Sequence, residues 1–273
     1  IGPWSAEIGR LLIESEKIPI SIINSAAGSS SIDWLSILDG DLSGPDGGNI
    51  MLYKGIKSGT LNHVKSLIYR QGESEAAQIY GTPYLWGTKF EALKLKYKKY
   101  FPAFKLIFLS QNNVYEWRYP QAGFVREDQR KQIYDPYMRV IATAGIKGFD
   151  RLHYSNEGYR QSAMEQFRVI SKEIYSRNWP KEIFSPNIQR AYFLSPTQRD
   201  KLYFEFEEGQ NILIPADTTV YDELKQAHTF SIKDQFYWDL NSEQSMATSI
   251  KKIEVINNRK VVVHFNFPYE RDT

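Results

Sequence analysis

Short apolar runs alternate with longer amphipathic segments through the first two thirds of this chain, and no other feature restricts the fold as much. The apolar runs, rich in β-branched residues, lie at 19–24, 64–69, 104–110 and 138–143. The segments with apolar residues three or four positions apart lie at 3–16, 84–100, 124–134 and 156–175. The first pattern is typical of buried strands and the second of amphipathic helices. Strands that alternate with helices predict an α/β fold with a mostly parallel sheet.

The pattern changes near residue 182. Two X-Pro pairs interrupt the last helical segment, because proline disfavours helical backbone at the residue before it: Trp179-Pro180 and Ser185-Pro186. Short β-type segments separated by turns follow around Tyr192 and at 203–206, 212–214 and 261–267. We therefore predict an α/β domain over residues 1–182 and a smaller, sandwich-like all-β domain over residues 183–273.

Composition excludes several classes of function. The chain has 34 Lys and Arg residues against 32 Asp and Glu residues, interspersed along its length, so we expect no nucleic-acid partner. It has no cysteine, which excludes disulfides, thiolate zinc sites and cysteine nucleophiles. Its longest apolar runs are far shorter than the roughly 20 residues that cross a bilayer, so we expect no membrane span. Its four histidines lack metal-ligand spacing, so we expect no metal site.

An acid and an imidazole lie three positions apart between the fourth predicted strand and the helix that follows it. They are Asp150 and His153. In α/β proteins the loops after the strands meet at one edge of the sheet, where ligands usually bind. A histidine that activates a hydroxyl needs a carboxylate or carbonyl to hold its tautomer, and Asp150 can supply that bond. The alternative for a bare D-x-x-H pattern is a capped turn beside a surface histidine.

Two other loops follow predicted strands at the same edge. Gln71 and Gly72 come directly after the second strand, and Gly28 lies in the loop after the first. An amide side chain and a glycine backbone N–H are suited to bind the oxyanion that forms in acyl transfer. The alternative at both places is an ordinary turn, in which glycine serves only backbone conformation.

Together, the order and spacing of these segments resemble the SGNH hydrolases, and within them the carbohydrate esterases typified by sialate O-acetylesterases and acetylxylan esterases. Residues 18–34, IPISIINSAAGSSSIDW, resemble the second sequence block of that family, with Gly28 at its oxyanion glycine. Residues 69–74, YRQGES, resemble its third block, in which Gln71 stands where other SGNH enzymes have asparagine. Residues 125–130, VREDQR, are similar to a family helix motif, and residues 150–159, DRLHYSNEGY, to its fifth block.

The resemblance implies a flavodoxin-like, three-layer fold and an enzyme that removes acetyl groups from an acetylated carbohydrate. The mechanism would use serine, histidine and aspartate, without a metal or cofactor. His153 would take the serine proton and return it to the leaving alcohol, and Asp150 would orient His153. The Gly28 N–H and the Gln71 amide would be two of three donors to the oxyanion.

One block of the family pattern has no counterpart in this sequence. The nucleophilic serine belongs to a first block that lies upstream of the position matched by residues 2–4, and residue 29 is serine where the family usually has a second glycine. Both ends of the sequence look cut from a longer polypeptide. We therefore expect another chain or segment to supply the first strand and the serine, or the protein to be inactive. The family suggests export to the periplasm, cell surface or medium, and the lack of an N-x-[ST] sequon favours a bacterial origin.

Two other hypotheses remain. An α/β-hydrolase would use Ser74 in the degenerate elbow Gly72-Glu73-Ser74-Glu75-Ala76, although the last position is not glycine and carboxylates flank the serine. A non-enzymatic carbohydrate-binding or scaffolding protein would keep the fold and stack sugars on exposed aromatic rings. The candidate rings are Tyr80, Tyr84, Trp86, Trp117 and Tyr119.

Overall fold

A computed structural model describes residues 2–77, 82–113, 122–150, 152–180, 182–214, 216–221, 226–236 and 246–268. The described residues form two compact units, one up to Trp179 and the other from Pro180 onward. The first holds a three-stranded parallel sheet with helices, and the second holds antiparallel strands. This confirms the predicted fold class of an α/β region followed by a β-rich one.

The parallel sheet of the first unit has its strands in sequence order. They are β1 (Ser66–Tyr69), β2 (Leu106–Ser110) and β3 (Met138–Ile141), with β2 in the middle. Every residue of β2 is buried, as expected for a strand covered on both faces. Because the strands are parallel, their carboxyl ends lie along one edge, and the loops after residues 69, 110 and 141 begin there.

Seven helices accompany this sheet in the described part of the first unit. They are α1 (Pro3–Glu16), α2 (Ile32–Leu35), α3 (Asn49–Lys57), α4 (Glu73–Ala76), α5 (Trp86–Tyr100), α6 (Ala122–Lys131) and α7 (Asn156–Tyr175), with 3₁₀ turns at Leu61–His63, Pro83–Leu85 and Gln132–Tyr134. α1 packs against α7. The predicted apolar face of α5 is confirmed at Phe90, Leu93 and Tyr97, which are buried. Leu85, assigned to that face, lies in the preceding 3₁₀ turn and is 42% exposed.

Two predicted strands are wrong. Residues 19–24 are extended but belong to no strand, and their side chains are exposed or half-buried. A strand exists only through hydrogen bonds to a neighbour, and no described strand pairs with this segment. Residues 212–214 likewise form a loop, in which Ile212 N–H donates to the Asn258 carbonyl and Leu213 is 80% exposed.

The second unit contains a four-stranded antiparallel sheet and a separate hairpin. The strands are β4 (Ile188–Phe193), β5 (Lys201–Phe206), β6 (Thr218–Tyr221), β7 (Ala227–Phe230), β8 (Ile250–Ile256) and β9 (Lys260–Phe265), with 3₁₀ turns at Ile232–Gln235 and Ala247–Ser249. The larger sheet has the order β4-β5-β9-β8, and β6 pairs with β7. Met246, Ile250, Val263 and Phe265 form a buried cluster. No helix in the described parts of the chain is long and apolar enough to cross a bilayer.

Candidate active site

Gln71 follows β1 directly, and its side chain is almost completely buried. Its Oε1 accepts hydrogen bonds from Trp86 Nε1 (2.8 Å) and the Tyr69 hydroxyl (3.3 Å). Its Nε2 donates to the Ser30 carbonyl (3.1 Å) and to Glu75 Oε2 (2.5 Å). An indole N–H only donates and a carboxylate only accepts, so the direction of this amide is determined. Both amide hydrogens of Gln71 are therefore engaged within the protein.

Glu75 connects Gln71 to the loop at residues 28–31. Its second oxygen accepts the backbone N–H of Ile32, the first residue of α2, at 2.6 Å. Burial raises the pKa of Glu75 above the usual carboxyl value, and the hydrogen bonds from Ile32 and Gln71 act against this rise. One buried acid thus holds both the Gln71 amide and the end of the loop.

The backbone of the 28–31 loop shows what the serine at position 29 means structurally, where the family usually has glycine. Ser29 has φ 59°, in the left-handed region where glycine is favoured. A second glycine at this position would relieve that constraint. Gly28 is exposed, and a Cβ built on it would meet nothing within 4 Å. The loop therefore offers its backbone to an approaching ligand at residue 28.

Asp150 and His153 form a tight turn between β3 and α7. Asp150 N–H donates to the His153 carbonyl at 2.9 Å, and Asp150 Oδ1 accepts the backbone N–H groups of His153 (2.6 Å) and Leu152 (3.0 Å). The other carboxylate oxygen lies 3.6 Å from His153 Nδ1, too long for a hydrogen bond. Both side chains are about 60% exposed, at 61% for Asp150 and 62% for His153. Asp150 thus caps the turn and also faces the imidazole ring.

Arg70 joins this turn to the end of β1. Its Nη2 donates to the Leu152 carbonyl at 2.9 Å, and its guanidinium carbon lies 5.0 Å from the centre of the Tyr154 ring. Its Nε lies 2.9 Å from Glu73 Oε1, which balances its charge. Because Arg70 immediately precedes Gln71, these contacts place the 150–153 turn at the same edge of the sheet as the Gln71 amide.

The structure thus relates the four predicted site residues in two pairs. Among the described residues, Gln71 reaches the loop of Gly28 through the Ser30 carbonyl, and the ring of His153 faces Asp150. The link between the pairs is Arg70, a residue that the sequence argument did not single out.

Gly72 allows α6 to pack closely against the start of α4. It has φ 126°, and a Cβ there would lie 2.7 Å from Val125 Cγ1 and 2.8 Å from Asn112 Nδ2. Behind it, the buried Gln129 donates from Nε2 to the Gln71 carbonyl (2.9 Å) and accepts the Asn112 N–H (2.7 Å). The third-block glycine and the glutamine of the VREDQR motif therefore support the Gln71 backbone.

Sequence reasoning missed four supporting residues: Arg70, Glu75, Trp86 and Gln129. Trp86 was a candidate for sugar stacking, and this is wrong, because its ring is fully buried against Phe90 and its N–H is bound to Gln71. Two of them, Arg70 and Gln129, belong to the motifs YRQGES and VREDQR. Membership of these motifs was the sequence signal that could have identified them.

The remaining candidate residues differ in how accessible they are to a substrate. Ser74, the nucleophile of the α/β-hydrolase alternative, is 5% exposed within α4, which argues against attack on a substrate. Tyr84 is 60% exposed and packs edge-on to Phe124. Tyr80, Trp117 and Tyr119 lie outside the described residues. Within the described ranges, no group of three or more His, Asp or Glu side chains is arranged to hold a metal ion.

The comparison with models of protein families agrees with the sequence blocks. The family model described as carbohydrate esterase, sialic acid-specific acetylesterase, matches residues 3–169. This confirms the resemblance inferred from the sequence. A solved X-ray structure of an Arabidopsis thaliana protein is 17% identical and covers 63% of this chain and 69% of its own, with a TM-score of 0.48. No curated protein matches the chain.

Proposed function

The chain belongs to the carbohydrate esterases of the sialic acid-specific acetylesterase family, and on that premise we propose that it hydrolyses O-acetyl esters on sugars by a serine, histidine and aspartate mechanism. The family supports esterase chemistry and a carbohydrate substrate. Beyond family membership, we propose three things: that this chain is active, that its substrate is an acetylated sugar, and which residues act on that sugar.

In this proposal His153 takes the proton from the serine hydroxyl as the serine attacks the ester carbonyl. It then gives that proton to the sugar alcohol as the alcohol leaves. Asp150 orients the ring and stabilises its charged form. The 3.6 Å separation from Asp150 Oδ2 to His153 Nδ1 shortens to a hydrogen bond when substrate is bound, as catalytic contacts often do.

The oxyanion in this proposal receives the Gly28 N–H and one hydrogen of the Gln71 amide. That hydrogen must first be released by a protein acceptor, because both are engaged. The bond to Ser30, at 3.1 Å to a neutral carbonyl, is longer than the 2.5 Å bond to the Glu75 carboxyl group. The longer of the two bonds is the weaker one, so the Ser30 carbonyl yields its hydrogen to the oxyanion.

The nucleophilic serine of this proposal comes from outside the 273 residues, on another chain or segment, and no metal or cofactor takes part. The proposal also places the protein outside the cytoplasm, in the periplasm, on the cell surface or in the medium of a bacterium. A fractionation of source cells, followed by detection of the protein with an antibody, tests the location.

One observation carries the proposal: Arg70 joins the strand end that bears Gln71 to the turn that bears Asp150 and His153. The test is acetate release from O-acetylated N-acetylneuraminic acid by the intact protein, with acetylated xylo-oligosaccharide in parallel. We expect the His153→Ala variant to lose about 100- to 10,000-fold in kcat. The His63→Ala variant, which removes an exposed histidine from a 3₁₀ turn, should keep full activity.

A carbohydrate-binding protein without catalysis is the second candidate, and the exposed ring of Tyr84 favours it. If the intact protein releases no acetate but binds the sugar, and Tyr84→Ala weakens that binding, this alternative replaces the esterase.

A further inference from the structure

We propose that Arg70 is a positioning residue that holds the His153 turn in a fixed place relative to Gln71. This inference deepens the proposed function, and the effect that we expect on kcat rests on that function.

The turn that carries His153 needs such an anchor. Its internal hydrogen bonds, from Asp150 and His153 N–H to each other's oxygens, fix its shape but not its place relative to β1. Both side chains are about 60% exposed, so packing around them contributes little to their position. The location of the imidazole therefore depends on what holds the neighbouring residues.

Arg70 holds those neighbours on both sides of His153. The Leu152 carbonyl, immediately before it, accepts from Nη2 at 2.9 Å. The ring of Tyr154, immediately after it, lies under the guanidinium at 5.0 Å, and the ring of Tyr159 in α7 lies at 5.9 Å. Tyr154 and Tyr159 also pack edge to face at 5.6 Å. One planar group thus contacts the backbone and the aromatic side chains that flank His153.

The chemistry of arginine suits this role. The guanidinium donates in a fixed plane and stacks on aromatic faces at the same time, which an ammonium group on a flexible chain does not reproduce. Its side chain is 15% exposed, and the 2.9 Å contact from its Nε to Glu73 Oε1 directs the fork toward the turn. We therefore expect a lysine at this position to keep the charge and the ion pair but to lose the register of His153.

The test compares Arg70→Met with a matched control, Arg139→Met. Arg139 lies on β3, pairs with Glu173 at 2.6 Å and donates to the carbonyls of Pro136 and Met138, all remote in sequence from the turn. In the intact protein, we expect Arg70→Met to lower kcat for acetate release about 10- to 100-fold with KM within about twofold, because a small misplacement of a reacting group carries a penalty of that size. Arg139→Met should leave kcat within about twofold of wild type.

A second readout does not depend on activity. The NMR signal of the His153 ring C–H, assigned by its loss in His153→Ala, should move toward the value of a free histidine in Arg70→Met and stay in place in Arg139→Met. If the signal in Arg70→Met coincides with wild type, the inference is overturned, whether or not the protein releases acetate. If the signal moves but wild-type protein releases no acetate, the proposed function fails and the positioning role stands.

Arg70→Lys decides the case in which Arg70→Met does not fold. We expect it to fold, to show a shifted His153 signal and to recover less than half of the wild-type kcat. An Arg70→Lys variant that matches wild type in both readouts contradicts the inference, because the planar fork would then be unnecessary. Partial recovery of kcat in Arg70→Ala on addition of millimolar guanidinium would support it.

Discussion

The two sides of the candidate site are built in opposite ways. Gln71 is 5% exposed and has four hydrogen-bond partners, each an element of the surrounding structure. Asp150 and His153 are about 60% exposed, and their side chains face each other at 3.6 Å without a hydrogen bond. The first side is fixed by burial, and the second by one short turn and the contacts of Arg70 with residues beside His153. Substitutions should therefore separate into those that change folding and those that change chemistry.

The largest effects should come from comparing His153→Ala with Gln71→Leu. We expect His153→Ala to remove about 100- to 10,000-fold of the activity and to change the unfolding free energy by less than about 0.5 kcal/mol, because the residue is exposed. Gln71→Leu should lower the unfolding free energy by about 3–5 kcal/mol, because it leaves Glu75 Oε2 and the Trp86 N–H buried without the partner that each has in Gln71. Acetate release and urea unfolding measure the two effects. A strong destabilisation by His153→Ala would show that the exposed side also contributes to folding, which contradicts the difference between the two sides.

The next largest effect concerns Gly72, on the buried side. Gly72→Ala should lower the unfolding free energy by about 2–4 kcal/mol, because its φ of 126° disfavours a side chain and the new Cβ would lie 2.7 Å from Val125 Cγ1. Gly44→Ala is the control, since a Cβ there meets nothing within 4 Å and should change little. Equal unfolding midpoints in urea for the two variants would show that α6 moves to accommodate the new methyl group without loss of stability.

The pH dependence of the unfolding free energy of Glu75→Gln tests how the buried acid contributes to the buried side. Burial raises the pKa of Glu75, so the native state holds this proton more tightly than the unfolded state does. Its contribution to the unfolding free energy therefore falls as pH rises from the ordinary carboxyl pKa through the elevated one. Glutamine does not titrate, but it has one acceptor for the two N–H groups of Ile32 and Gln71. We expect a loss of about 1–3 kcal/mol at low pH that shrinks as pH rises through this window.

Urea unfolding of wild type and Glu75→Gln at several pH values measures this difference. A gap between the two that stays constant with pH would contradict a raised pKa at Glu75. A gap that widens with rising pH would mean that the native state favours the ionised acid.

The smallest effect should come from Ser29→Gly, in the 28–31 loop that Gln71 and Glu75 bind. Glycine adopts φ 59° without the penalty that serine bears, but it also loses more backbone entropy on folding. We expect a net gain of about 0.5 kcal/mol in unfolding free energy, measured by thermal or urea unfolding. Ser36→Gly, at a residue with φ −78°, should lose stability instead and serves as the control. A loss in both variants would mean that the left-handed backbone at residue 29 carries no strain.

Local sequence patterns predicted most of the first unit. Periodicity located α1, α5 and α7, and the strands β1, β2 and β3, because burial of one helix face or of a whole strand leaves a period in the sequence. The same reasoning failed at residues 19–24, where the composition is that of a strand and the pairing is absent among the described strands. In the second unit it overlooked the hairpin of β6 and β7. It also overlooked β8, whose two lysines follow a register shift after Ile250 that obscures the alternation.

The residues of the candidate site could be named from the sequence, but not the contacts that support them. Gln71 and His153 belong to short motifs that follow strands, and parallel strands bring such loops to one edge. The bond from Arg70 to Leu152 joins residues 82 positions apart, and that from Gln129 to Gln71 joins residues 58 apart. No local pattern predicts such pairings, because each depends on the packing of elements distant in sequence.

The side chain of Gln129 has a consequence for the shape of the sheet edge. At their carboxyl ends, β2 and β3 stay directly joined, since Gln111 N–H donates to the Ile141 carbonyl at 2.9 Å. Between β1 and β2, by contrast, the carbonyl of Gln71 and the N–H of Asn112 bond to opposite ends of one inserted amide. The two chains therefore diverge by the width of that amide group. A single glutamine side chain thus fills the gap on one side of the central strand, while the backbone on the other side stays directly hydrogen-bonded.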